Sequence, residues 1–136
     1  MRTIAAAASL LCTALPAQAD PFPPLQRRPV LEATLPASNP PVHVVRGASI
    51  RFAPGQPTGL HLHPASTVGV VTEGSFVFQP EGQPERIIRT GDVFFEPANQ
   101  PILRFDNASG TALAAITVFY LTDTPDRPLI RLLGHR

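Results

Sequence analysis

The sequence predicts an all-β sandwich or barrel, and three observations carry that expectation. Short apolar or alternating runs recur at close, regular spacing, and no helical periodicity is sustained between them. Gly, Pro, Asn and Asp punctuate the gaps, supplying the backbone angles that tight turns need. Proline, at 17 of 136 residues, is more than twice its usual share, while charged residues are only 15%, which excludes a coiled coil or helical bundle.

In chain order, a leader comes first. Met1-Arg2 is a short basic start, Thr3 to Pro16 is small and apolar, and Ala17-Gln18-Ala19 is the small-x-small pattern a signal peptidase reads. This order predicts a signal peptide over residues 1–19, cleavage before Asp20, and export to a bacterial periplasm or the extracellular space. The apolar run is too short for a membrane span, and Ser9-Leu10-Leu11 before Cys12 is a poor lipobox. Cleavage would leave 117 of the 136 residues. Arg2 leaves with the leader, so ten arginines face ten acids and the mature chain is formally neutral. A neutral chain has no basic field to attract nucleic acid or anionic lipid. Cys12, the single cysteine, leaves too, which excludes disulfides and thiolate metal sites.

Residues 20–41 hold seven of the prolines, including Pro23-Pro24 and Pro40-Pro41, so this stretch cannot be helical. It reads as an N-terminal arm whose Val30, Leu31 and Leu35 could lie along a sheet or against a second copy in a homodimer. From Val42 to the end the texture is that of one domain. Strands are predicted near Val42–Val45, Ser49–Phe52, Gly59–His63, Val68–Thr72, Ser75–Phe78, Glu85–Arg89, Val93–Glu96, Ile102–Phe105, Ala112–Leu121 and Leu129–Leu133. The separators are Pro54-Gly55, Glu73-Gly74, Gln79-Pro80-Glu81-Gly82, Thr90-Gly91-Asp92, Pro97-Ala98-Asn99 and Ala108-Ser109-Gly110.

Two motifs stand inside that frame. Gly59-Leu60-His61-Leu62-His63-Pro64 is followed by Val68-Gly69-Val70-Val71-Thr72-Glu73-Gly74; later come Thr90-Gly91-Asp92-Val93-Phe94-Phe95-Glu96-Pro97-Ala98 and Asn107. In this order they resemble the cupin superfamily, specifically its small single-domain exported members, over most of residues 42–121. The resemblance implies a jelly-roll double-stranded β-helix enclosing a pocket that commonly holds a divalent metal. It also implies a ligand set of two histidines and a glutamate from the first motif and a histidine from the second.

His61 and His63 match the first two ligands, and their spacing of two puts both on one face of a strand. Neutral imidazole suits iron, manganese, nickel, copper or zinc. The third ligand position, four residues past His63, is Thr67. The fourth, five residues past Pro97, is Ile102, or Leu103 if the strand bulges. None of these three side chains can replace the missing ligand. His43, Glu73 and Glu96 are the alternative donors, with the direction of Glu96 left open by strand parity. His135, near the end of the chain, is given no role.

The substitutions make the pocket less charged and more apolar, which favours a small organic ligand over a hydrated cation. Its predicted lining is His61, His63, Thr67, Phe76, Phe78 and Ile102. Arg104 points inward toward an anionic ligand if its strand is regular, and to solvent if it bulges. Asn107-Ala108-Ser109 matches a glycosylation sequon and is read as a turn. No serine elbow, catalytic cysteine or phosphate-binding glycine loop is present.

Three readings follow. The first is an exported protein binding a small organic ligand in its barrel without a full metal site. The second is a metal-dependent dioxygenase- or isomerase-like enzyme using His61 and His63 with a non-standard third ligand. The third is a structural or interaction protein with a vestigial pocket and a docking arm.

Overall fold

The computed structural model describes residues 22–134, so the signal-peptide expectation for 1–19 and His135 lie outside the described residues. Nine strands form: β1 (Val44–Phe52), β2 (His61–Leu62), β3 (Thr67–Glu73), β4 (Ser75–Pro80), β5 (Arg86–Arg89), β6 (Val93–Glu96), β7 (Ile102–Asn107), β8 (Ala114–Thr122) and β9 (Arg131–Leu132). They make a four-stranded sheet, β1-β8-β3-β6, and a five-stranded sheet, β5-β4-β7-β2-β9. Every pairing is antiparallel. No helix forms among the described residues. The architecture is the all-β jelly roll expected.

The boundaries differ from the sequence expectation in three informative places. The two strands expected over 42–52 are one, because Gly47 pairs with Phe119 and the Phe119 ring lies where a side chain would be. The strand expected from Gly59 shrinks to His61–Leu62, since Gly59 takes a left-handed φ of 83° that no strand accommodates. In β7 the register slips by one residue between Gln79 and Pro80 of its partner β4, leaving Leu103 unopposed. That bulge turns Ile102 and Phe105 both inward and Arg104 outward, where it pairs with Glu85 at 2.6 Å and Asp106 at 2.8 Å.

The core lies between the two sheets and is largely aromatic. Phe52, Phe76, Phe78, Phe94 and Phe105 stack edge-on or tilted at centroid separations of 4.9–6.3 Å, backed by Val71, Ile88, Ile102, Ile116 and Val118. Gly69 is inward on β3 and directly beneath Phe94; any Cβ there would overlap the Phe94 ring. Asn107 is buried, donating to the carbonyls of Ala53 and Ala112 and accepting from the Ser109 amide, so the sequon read as a turn instead ends β7 and opens the bend that follows.

The described part of the arm, residues 22–41, forms no strand. Its last residues are pinned at one end of the barrel, where Asn39 Oδ1 accepts from the Ser66 amide at 2.6 Å and Ser38 Oγ donates to the Ala98 carbonyl. Phe22, Leu25 and Val30 stay exposed.

Candidate metal centre

Alternation along short strands brings three buried side chains to one spot. On β2 and the residue after it, His61 and His63 both face the interior while Leu62 turns away. On β6 the burial alternates through Val93, Phe94, Phe95 and Glu96, so Glu96 shares the inward face with Phe94. His63 Nε2 lies 3.1 Å from Glu96 Oε2, and His61 Nε2 lies 4.0 Å from Glu96 Oε1. One ligand atom from each of the three residues fits within a mutual separation of 4.8 Å.

The hydrogen bonds behind the rings decide what these atoms can do. His61 Nδ1 meets the Gly59 carbonyl at 2.8 Å, and His63 Nδ1 meets the Leu129 carbonyl at 2.6 Å. A carbonyl only accepts, so each Nδ1 carries the proton and each Nε2 turns a lone pair toward Glu96. Two neutral imidazoles and a carboxylate thus converge lone pair against lone pair, and Glu96 Oε1 is a fully buried acceptor with no partner. Such a cluster is stable only around a shared cation, either a proton or a metal.

Electrostatics separates the two histidines. Burial pushes His61 below its usual pKa, and the Gly59 carbonyl and the Glu96 charge do not restore it. Burial acts on His63 in the same sense, but the hydrogen bond and charge of Glu96 outweigh it and leave His63 raised. Of the two, His63 is therefore the one that takes the shared proton as pH falls when no metal is present.

The neighbouring wall is apolar. A cavity of about 50 Å³ opens beside the cluster, lined by His61, His63, Thr67 and Glu96, by Tyr120, and by apolar side chains that include Ile50, Phe94, Ile116 and Ile130. Of the residues predicted to line a pocket, His61, His63 and Thr67 do so. Phe76, Phe78 and Ile102 do not: all three are fully buried between the sheets, where packing with other core side chains consumes their surface.

The incomplete set of His61 and His63 gains a candidate third donor in Glu96, whose direction the sequence left open. Thr67, at the position where the resemblance places a glutamate, is the direct cross-strand partner of Glu96. The carboxylate has in effect moved one strand sideways. His43 and Glu73 are not brought to the site. His43 is exposed, and Glu73 faces Arg51 at the surface. Tyr120 was missed by sequence reasoning, although Ile116, Val118 and Tyr120 alternate inward along β8 and the period of two could have flagged it.

The cupin-domain family profile matches residues 48–119. The chain belongs to the cupin superfamily. Solved cupin folds superpose on it. An oxalate oxidase in complex with the substrate analogue glycolate is 26% identical with a TM-score of 0.55, covering 65% of this chain and 46% of its own. A cupin-like protein from Thermotoga maritima is 28% identical at the same TM-score, covering 66% and 65%. A sugar phosphate isomerase of the cupin superfamily from Silicibacter pomeroyi is 30% identical with a TM-score of 0.51, covering 60% and 52%. The chain thus spans under half the length of the oxalate oxidase. No curated protein sequence matches it.

Proposed function

We propose that this cupin holds one divalent transition-metal ion on His61 Nε2, His63 Nε2 and the Glu96 carboxylate, and offers its open positions to a small organic ligand. The observation that carries the reading is the convergence of three lone-pair donors whose protons are spent on the Gly59 and Leu129 carbonyls, with Glu96 Oε1 left unpartnered. Two imidazoles and one carboxylate suit zinc, iron, manganese, nickel or copper. Bound there, the ion would act as a Lewis acid on an oxygen of the ligand.

The protein's own residues do the rest. The two carbonyls hold the imidazoles in the tautomer that ligates, and the apolar wall of Ile50, Ile116 and Ile130 limits water. The similar folds carry an oxidase and an isomerase, so the scaffold alone does not select a reaction. Export belongs to the same proposal and rests on the order of features in residues 1–19.

The test is to purify the chain without a polyhistidine tag and measure bound transition metals by mass spectrometry. Near-stoichiometric metal that is lost in both His61→Ala and Glu96→Gln is the expected result. A protein that stays metal-free after incubation with Co(II), Ni(II), Mn(II), Fe(II), Cu(II) and Zn(II) overturns it. If that metal-free protein gains thermal stability from an organic ligand, the pocket works without metal.

A further inference from the structure

Resting on that reading, we propose that the metal-loaded site selects a small monoanionic ligand, a monocarboxylate of two or three carbons, and that the Tyr120 hydroxyl is the donor that orients it. The argument begins with charge. A divalent ion on two neutral imidazoles and one carboxylate leaves a net charge of +1 in a pocket whose remaining lining is hydrocarbon and three uncharged hydroxyl side chains. No Arg or Lys lines the cavity. An uncompensated buried charge is costly, and a single negative charge on the ligand removes that cost. Without the metal, Glu96 faces at most one protonated imidazole, so the pocket carries no net positive charge to compensate an anion.

Hydrogen-bond bookkeeping then singles out Tyr120. Thr58 Oγ1 donates to the Phe105 carbonyl at 2.6 Å and Thr67 Oγ1 to the Ala65 carbonyl at 3.3 Å. The two Nδ1 protons are committed to Gly59 and Leu129. Among the described residues, Tyr120 therefore carries the one side-chain proton lining the cavity that no protein acceptor takes. Its position fits the task. Tyr120 pairs across the sheet with Thr67, which pairs with Glu96, and its ring centroid is 5.6 Å from that of His63. A carboxylate has two oxygens, one for the metal and one to accept from this hydroxyl.

Size bounds the ligand. A cavity of about 150 Å³ admits benzene. One of about 50 Å³ holds only a few heavy atoms beside the metal, which fits acetate or glycolate, while the ring of an aromatic acid would have to stand outside it.

The experiment loads the full chain with Co(II), follows the visible absorption of the ion, and titrates acetate, glycolate, the neutral isostere acetamide, and benzoate. Acetate and glycolate should perturb the spectrum saturably; acetamide and benzoate should bind at least tenfold more weakly. Tyr120→Phe should lower acetate affinity about tenfold, the value of one hydrogen bond to a charged group, and change Co(II) affinity less than twofold. Tyr120 is the only tyrosine and the chain has no tryptophan, so quenching of its fluorescence by Co(II) reports metal loading in the wild type independently. If Co(II) binds and acetate binds no better than acetamide, the inference fails while the metal reading stands. It fails in the same way if Tyr120→Phe leaves acetate affinity unchanged. If Co(II) does not bind, the metal reading itself fails. The acetate-to-acetamide comparison needs no variant, so it decides the charge argument even if Tyr120→Phe does not fold.

Discussion

Replacing Glu96 by Gln should change the stability of the metal-free protein in opposite directions at low and high pH. In chelator, at a pH above the raised folded value of His63, both imidazoles are neutral, and Glu96 Oε2 faces the His63 Nε2 lone pair at 3.1 Å with nothing between them. A Gln amide nitrogen in that place donates to the same lone pair, and a buried unpaired charge disappears. The gain is about 1–2 kcal/mol, or roughly 4–8 °C in Tm for a domain of this size. At pH 5.5 the sign reverses. The folded-state pKa of His63 lies above its unfolded value, so its protonation stabilises the fold below about pH 6.5, and that contribution is lost as pH rises through the folded value. Protonated His63 then makes a charge-assisted bond to Glu96. Gln keeps the bond but not the charge, at a cost of about 1–2 kcal/mol. His61, whose pKa is lowered, opposes folding as it protonates. Losing the Glu96 charge deepens that opposition in the variant, which adds to the low-pH difference in the same direction. The assay is thermal unfolding of the two proteins at both pH values in EDTA. Then the high-pH pair is repeated with Co(II) at about 100 times the wild-type Kd and no chelator, which should stabilise wild type by about 2.7 kcal/mol and the variant hardly at all. A Tm difference of the same sign at both pH values, or a full Co(II) shift in the variant, would refute the lone-pair argument.

Two further outcomes follow from the scaffold. Gly69→Ala should lower Tm by about 10 °C, because the new Cβ overlaps the Phe94 ring and sits 2.9 Å from the Thr117 carbonyl; neither can yield in a core this tightly packed, and overpacking costs up to about 3 kcal/mol. Calorimetry of the variant checks it, and an unchanged Tm would mean that Phe94 is not held where it lies. Asp123→Asn should lower stability modestly at neutral pH and less in acid, which reduces acid sensitivity. Arg127 grips the Asp123 carboxylate through two bonds of 2.6 Å and holds its pKa well below the usual range, so this contribution is full above about pH 4 and is lost progressively as pH falls from there toward the depressed folded value. Urea midpoints at pH 7 and pH 3 should differ less in the variant than in wild type.

The fold was legible because its signals are local. Turn residues such as Glu73-Gly74 and Pro97-Ala98-Asn99 sit where the chain reverses, with Gly74 and Asn99 at left-handed φ of 72° and 64°. Alternation then marks each strand between them. Ladder partners leave no such local trace. Gly47 reads as a break by itself, and only its pairing with Phe119 shows why the strand continues. Phe76 and Phe78 read as pocket residues from alternation and Ile102 from its place in the second motif, but neither signal distinguishes a side chain facing the cavity from one packed between the sheets beneath it.

The site is the sharper case, because a motif is a statement about one strand and a metal centre is a statement about several. At Thr67 the first motif lacks its carboxylate, and counting along that strand leaves two donors. The ladder places Glu96 directly opposite Thr67, on the same inward face, so the donor comes from the neighbouring strand. A side chain as short as threonine leaves room for that. A glutamate at Thr67 would put two carboxylates side by side across adjacent strands, and like charges directly opposite are destabilising. The same geometry that makes Thr67 look like a loss in the sequence is therefore compatible with a complete three-donor set. Ile102 has no such substitute: it pairs with His61 and is buried in the core. The side of the centre that would have held a fourth protein ligand is hydrocarbon, which leaves ligand recognition to the cavity wall where Tyr120 stands.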